Sequence, residues 1–97
     1  MANEPDSTPT GLALLAPWPN PTAASTTVQY VLGSPGPVRL EVFDVAGRRV
    51  AVLADGAQPG GTHTLTWTPE TWLANGAYVV RLTAGAQTLT TRLTLAR

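Results

Sequence analysis

The sequence predicts an all-β fold, a seven-stranded antiparallel β-sandwich. The chain has 97 residues, enough for one domain, and 43% of them are hydrophobic. Apolar and polar residues alternate along several short segments, as they do in strands with one buried face. Clusters of glycine, proline and asparagine separate these segments at regular intervals. Short alternating strands at such spacing are typical of a sandwich of two antiparallel sheets.

Each strand follows from this pattern. The first is a short apolar run that ends where three prolines within residues 17–21 remove hydrogen-bond donors. In the second, Val28, Tyr30 and Leu32 share one face, and the later strands alternate in the same way. Residues 69–76 leave room for one helical turn at most. The seven predicted strands are 12–16, 26–32, 37–45, 48–54, 62–67, 77–84 and 87–96. Residues 1–11, rich in proline and polar residues, are interpreted as a linker, and residues 12–97 as the domain.

Five residues are expected to stabilise this fold. Trp67 and Tyr78 occupy inward positions of central strands, where large aromatic side chains anchor a small core. Asp44 is expected to hydrogen-bond the turn that follows it. Gly47 and Gly76 lie in turns that require positive φ. The cysteines that flank the core tryptophan of antibody domains are absent, so the resemblance to those domains is confined to an Ig-like architecture.

The other tryptophans permit two interpretations. Trp18 and Trp72 lie outside the predicted strands and are expected to cover the two ends of the sandwich. The alternative is a stacking platform for sugar rings, mainly through Trp72, as in accessory modules of polysaccharide-degrading enzymes. Both interpretations remain open at this point.

The composition argues against several classes of function. Charged residues make up 12% of the chain, its formal net charge is zero, and no lysine is present. Nucleic-acid binders and membrane-surface segments carry basic patches, which a chain of this composition is not expected to have. The absence of cysteine excludes a thiolate nucleophile and a sulfur-ligated metal.

No catalytic apparatus is apparent. Glu41 and Asp44 are three residues apart in a strand, so they point to opposite faces, with Glu41 outward. His63 is the only histidine and is interpreted as a packed or partly exposed strand residue. Calcium binding through Asp6, Asp44 and Asp55 is an alternative, although no calcium-binding motif occurs. We therefore predict a protein that is not an enzyme, with no catalytic, cofactor-binding or metal-binding residues.

The order of these features resembles one family. The segment "APWPNPTAASTTVQYVL" is similar to the opening of the C-terminal sorting domains of the type IX secretion system. The segments "VRLEVFDVAGRRVAVLADGAQPGGTHTLTW" and "LANGAYVVRLTAGAQTLTTRLTLAR" resemble the middle and the end of the same domains. The Ig-like domain of the flagellar hook-capping protein follows a related pattern.

This resemblance implies a targeting module that carries a parent protein through the periplasm and outer membrane to the cell surface. The implied partners are the outer-membrane secretion machinery, a sortase-like peptidase and an N-terminal catalytic domain of the parent. A monomer that binds no nucleic acid is expected. The resemblance also places recognition by the translocon in the last strand, at Arg92, Ala96 and Arg97. The substitution Arg92→Ala and the removal of Ala96 and Arg97 are expected to leave the core intact. The alternative functions are an accessory carbohydrate-binding module and a structural spacer.

Overall fold

Seven strands and no helix make up the described part of the chain. The computed structural model describes residues 11–97, and the interpretation of residues 1–10 as linker and Asp6 as a calcium ligand lies outside them. The strands are β1 (Ala13–Leu14), β2 (Thr26–Leu32), β3 (Gly36–Asp44), β4 (Arg49–Gln58), β5 (Gly61–Trp67), β6 (Gly76–Ala84) and β7 (Gln87–Leu95). Within residues 11–97 no helix is long and apolar enough to cross a membrane.

The strands form two antiparallel sheets. One sheet has the order β1-β2-β5 and the other the order β4-β3-β6-β7. Register pairs residues of like character, so that Leu40 lies beside Leu82 and Val42 beside Val80 on one face. This architecture confirms the predicted all-β sandwich of seven antiparallel strands.

The core lies between the inward faces of the sheets. Trp67 is 6% exposed and meets the Tyr78 ring edge-on, with the ring centroids 6.1 Å apart. The Tyr78 hydroxyl donates to the carbonyl of Ala74 over 2.6 Å, which satisfies its polar atom at the core boundary. The thirteen buried hydrophobic residues are Val28, Tyr30, Leu32, Val38, Leu40, Val42, Trp67, Leu73, Tyr78, Val80, Leu82, Leu93 and Leu95.

β4 is longer than its sequence predicts. It continues to Gln58 because residues 54–58 pair with the first half of β3, even though Asp55-Gly56 has the composition of a turn. Gly56 accommodates this course with a φ of 128°, in the region that favours glycine. The pairing is therefore set by β3 and overrides the local turn signal.

Glu41 is the main buried charge of the described residues. It lies on the outer face of the four-stranded sheet, as its strand position predicts, but it is only 2% exposed. Its carboxylate accepts hydrogen bonds of 3.1 Å from both Arg49 and Arg81. The Arg81 guanidinium also lies 4.3 Å from the centroid of the Phe43 ring. The ion pair with Arg81 and the neighbouring Phe43 ring together cover the Glu41 carboxylate.

The two arginines determine the ionisation of Glu41. Burial would raise the pKa of the Glu41 carboxyl, but the hydrogen bonds from Arg49 and Arg81 and the charges of Arg81 and Arg39 outweigh it. The net effect is a pKa below the usual value. Glu41 therefore contributes stability that is fully present above the pKa of an unfolded glutamate. That contribution is lost as the pH falls through the lower pKa of the folded state.

We predict that Trp67→Ala lowers the free energy of unfolding by about 3–5 kcal/mol, because it removes a large buried side chain and leaves a cavity. Trp72→Ala serves as the matched control, since Trp72 is 71% exposed, and should change stability by less than about 0.5 kcal/mol. Urea unfolding of both variants checks this. An unchanged melting temperature for Trp67→Ala would contradict the position of Trp67 in the core.

We predict that Glu41→Gln lowers the free energy of unfolding at pH 7 by about 1–3 kcal/mol, the scale of lost charged hydrogen bonds. Because wild-type Glu41 becomes neutral in acid, the difference between the two proteins should shrink at pH 3. Asp55→Asn is the control, because Asp55 lies in an exposed ion pair with Arg39 at 3.7 Å and should have little effect. An equal difference at both pH values would contradict the assignment.

Candidate recognition surface at one end of the sandwich

The predicted recognition residues lie at one end of the sandwich. The antiparallel register brings the end of β7 beside the start of β6, where Gly76 pairs with Leu95. The β3–β4 turn reaches the same end, since Asp44 pairs with Tyr78. Residues 17–25 and 68–75 also lie there, because they adjoin the paired ends of β2 and β5. Four segments therefore surround the end of β7.

The β3–β4 turn is held by Asp44. One carboxylate oxygen accepts from the amides of Ala46 and Arg48 at 3.0 and 2.9 Å, and the other accepts from Arg48 Nε at 2.9 Å. These bonds, chiefly that of the Arg48 amide, hold the pKa of the Asp44 carboxyl below its ordinary value. Gly47 has a φ of 85°, which this turn requires. The carboxylate is thus fully engaged within its own turn.

The free edge of β7 is capped by the proline-rich segment. Asn20 donates to the carbonyl of Arg92 at 3.0 Å and accepts from the amide of Thr94 at 2.9 Å. Thr22 exchanges backbone hydrogen bonds of 2.9 Å with Thr94 and Ala96. These contacts satisfy the backbone of residues 92–96, which would otherwise form an open sheet edge.

Arg97 binds the 69–75 loop. Its guanidinium donates to the carbonyls of Glu70 at 2.6 Å, Leu73 at 2.8 Å, Thr71 at 3.2 Å and Pro69 at 3.3 Å. The Asn75 side chain completes the contact, accepting from the Arg97 amide at 3.0 Å and donating to its carbonyl at 3.2 Å. Charged donors make the stronger hydrogen bonds, so this side chain fixes the loop conformation.

Removing Ala96 and Arg97 is therefore not structurally neutral. It would take away the hydrogen bond from the Ala96 amide to the Thr22 carbonyl and every contact that Arg97 makes with the 69–75 loop. The sequence predicts that both residues are surface positions. It offers no signal for the contacts between Arg97 and a loop that lies 22 to 28 positions earlier in the chain. Removing both residues is therefore expected to release the 69–75 loop, even where the core itself stays folded.

Arg92 has the opposite character. It is exposed on the outer face of the four-stranded sheet, beside Val79. Its guanidinium has no hydrogen-bond or ion-pair partner among residues 11–97, whereas the other arginine side chains of that range are all engaged. Arg92 is thus available to another molecule without any internal contact being broken.

The two exposed tryptophans do not lie at opposite ends. The Trp18 backbone pairs with Thr27 next to Trp67, so it lies at the same end as Trp72. Their exposed fractions are 46% and 71%, and Leu73, at 6%, fills the position between the sheets instead. The expectation that Trp18 and Trp72 cover the two ends is therefore wrong. Neighbouring residues of a loop point in different directions, and composition alone cannot determine which is buried.

Trp72 stands at the rim of a groove of about 590 Å³. The β3–β4 turn forms one wall, with Val45 80% exposed, and residues 72–78 form the other. Gly76, at a φ of 144°, belongs to this wall and begins β6. The Arg48 side chain, 82% exposed, borders the groove and uses only its Nε toward Asp44.

Groups with catalytic potential are not brought together. Glu41 is covered on the sheet face, while Asp44 is engaged in the turn. His63 stacks on Tyr30, with ring centroids 5.0 Å apart, and its Nε2 lies 2.7 Å from the carbonyl of Pro59. Within the described part of the chain, no group of three His, Asp or Glu side chains is placed to hold a metal ion.

Comparison with known proteins assigns the family. A family model described as "Secretion system C-terminal sorting domain" matches residues 16–96, from the end of the first predicted strand to the capped end of the last. A search of curated proteins finds no match. The matched residues include β2 to β7, and Arg97 lies one residue beyond them. The chain therefore belongs to the family of type IX secretion system C-terminal sorting domains.

Proposed function

We propose that this domain is a non-enzymatic address that directs a parent protein through the outer membrane by presenting a folded surface to the translocon. Membership of the family implies interaction with the type IX machinery and a parent protein, and export to the cell surface or secretion. The proposal extends this to passage through the periplasm and an N-terminal catalytic domain as cargo. It also includes removal of the domain by a sortase-like peptidase and anchoring of the cargo.

The observation that carries the proposal is that the two faces of β7 differ: one is buried in the core and the other is exposed. Inward Leu93 and Leu95 are buried in the core, while Arg92 projects outward without a side-chain partner among the described residues. A charged side chain that stabilises nothing within residues 11–97 is suited to contact a partner. Arginine is enriched at protein interfaces because its guanidinium forms several directed hydrogen bonds.

One observation favours a second candidate. The 71% exposure of Trp72 is compatible with a carbohydrate-binding module, which needs an accessible aromatic face. The two candidates differ in the role of Arg92. Sorting by this surface requires Arg92, whereas sugar binding at Trp72 does not involve a cation on the outer face of the four-stranded sheet.

We predict that Arg92→Ala reduces export severalfold without changing stability by more than about 0.5 kcal/mol. The 97-residue chain is fused to the C-terminus of a periplasmic reporter in a host with an active type IX system. Reporter at the cell surface is then measured, and melting of the isolated variant is followed by circular dichroism.

Arg39→Ala is the matched control, since Arg39 is an exposed arginine of the same sheet that already pairs with Asp55. It should be exported like the wild type. A wild-type fusion that stays in the periplasm would contradict the sorting function itself. Normal export of Arg92→Ala would contradict only the role of Arg92.

A further inference from the structure

One wall of the groove beside Trp72 is formed by residues 72–78, and Arg97, two residues beyond the end of β7, holds part of that wall in place. Arg97 holds the carbonyls of residues 69, 70, 71 and 73, which fixes the backbone on both sides of Trp72. Trp72 itself contributes little to the core, being 71% exposed. A loop held by so many charged hydrogen bonds therefore displays a large apolar side chain to solvent.

The chemistry of the groove limits what it can bind. Most of the side-chain acceptor capacity that lines it is already used: Asp44 accepts three hydrogen bonds within its turn, and Asn75 is paired with the Arg97 backbone. The terminal nitrogens of Arg48 have no partner among the described residues. The groove thus offers apolar surface from Val45 and Trp72 together with cationic donors.

This combination favours a protein ligand over a sugar. Sugar hydroxyls both donate and accept hydrogen bonds, so a sugar site needs free acceptors as well as an aromatic face, and here Asp44 and Asn75 are largely engaged by hydrogen bonds within the domain. An apolar side chain followed by a carboxylate matches what remains. Tryptophan and arginine are also the residues most enriched at energetic hot spots of protein interfaces.

We infer that this groove, between the β3–β4 turn and the 69–75 loop, docks a protein segment of the export machinery that presents an apolar side chain beside a carboxylate. The apolar side chain packs between Trp72 and Val45, and the carboxylate accepts from the Arg48 guanidinium. Arg97 is a positioning residue, acting through the loop that it holds. The inference rests on the proposed sorting function and names the surface through which part of that recognition occurs.

The opposite end of the sandwich lacks these features. The depression there is lined mainly by glycine, proline, alanine and other small residues of the loops near 33–37 and 84–87. It has neither an exposed aromatic ring nor a charged side chain among its lining residues. Of these two depressions in the described part of the chain, the one beside Trp72 combines an apolar contact with a charge.

The test compares export of the reporter fusion for wild type, Trp72→Ala and Trp18→Ala. Trp18 is the matched control, an exposed tryptophan at the same end that does not line the groove. Trp72→Ala should lose most of its export with unchanged melting, and Trp18→Ala should keep it. Failure of the wild type would refute the sorting function on which the inference rests. Equal export of wild type and Trp72→Ala would refute the groove alone.

The role of Arg97 is tested by a double-mutant cycle. If Arg97 acts only by positioning Trp72, then Arg97→Ala lowers export, and adding it to Trp72→Ala causes no further loss. Additive losses would show that Arg97 does not act through this loop. A purely structural contribution of Arg97 would lower the melting temperature in both backgrounds and reduce export further.

A direct binding measurement distinguishes the two ligand classes. An acetylated Leu-Asp dipeptide and maltohexaose are titrated separately into the ¹⁵N-labelled chain. The dipeptide should shift the Trp72 indole N–H and the amides of residues 45–48, and Arg48→Gln should weaken its binding about tenfold, the scale of a hot-spot contact. No shift with the dipeptide, or a larger one with maltohexaose, would overturn the inference.

Discussion

The attachment of the last strand is the constraint on which the rest of this end of the molecule depends. β7 buries Leu93 and Leu95 on one face, exposes Arg92 on the other, and has its free edge capped by Asn20 and Thr22. Alternation along a strand makes this possible, because successive side chains serve opposite faces. The residues that close the core and the residue that is available to a partner therefore lie next to each other in the sequence but on opposite faces of the sheet.

Arg97 extends this constraint to a loop that carries no strand pairing of its own. Four carbonyls of residues 69–73 converge on one guanidinium, and Asn75 binds the backbone of the same residue. Guanidinium groups suit this task because their five donors are held in a rigid plane. The conformation of the Trp72 loop thus depends on a residue at the end of β7, which links the last positions of the sequence to a surface outside β7.

Local patterns predicted the sheets well and the long-range polar contacts poorly. Alternation predicts correctly that Val28, Tyr30 and Leu32 point inward, because the face on which a strand residue lies depends only on its position along the strand. The burial of Glu41 depends on Arg81, forty residues away, whose guanidinium also lies over the Phe43 ring. No pattern along the chain encodes that meeting. Local patterns also fail to encode the contacts between Arg97 and the 69–75 loop. The same is true of the pairing with β3 that makes Asp55 and Gly56 part of strand β4, although their composition is that of a turn.

The central claim is that residues 94–97 belong to the folded end of the sandwich and are not a free tail. Amide hydrogen exchange measured by NMR tests it most directly, because the amides of Thr94, Ala96 and Arg97 each have a defined acceptor. The account predicts exchange at these sites far slower than at the Val45 amide, which has no acceptor among the described residues. Exchange of Ala96 and Arg97 as fast as that of Val45 would contradict the account.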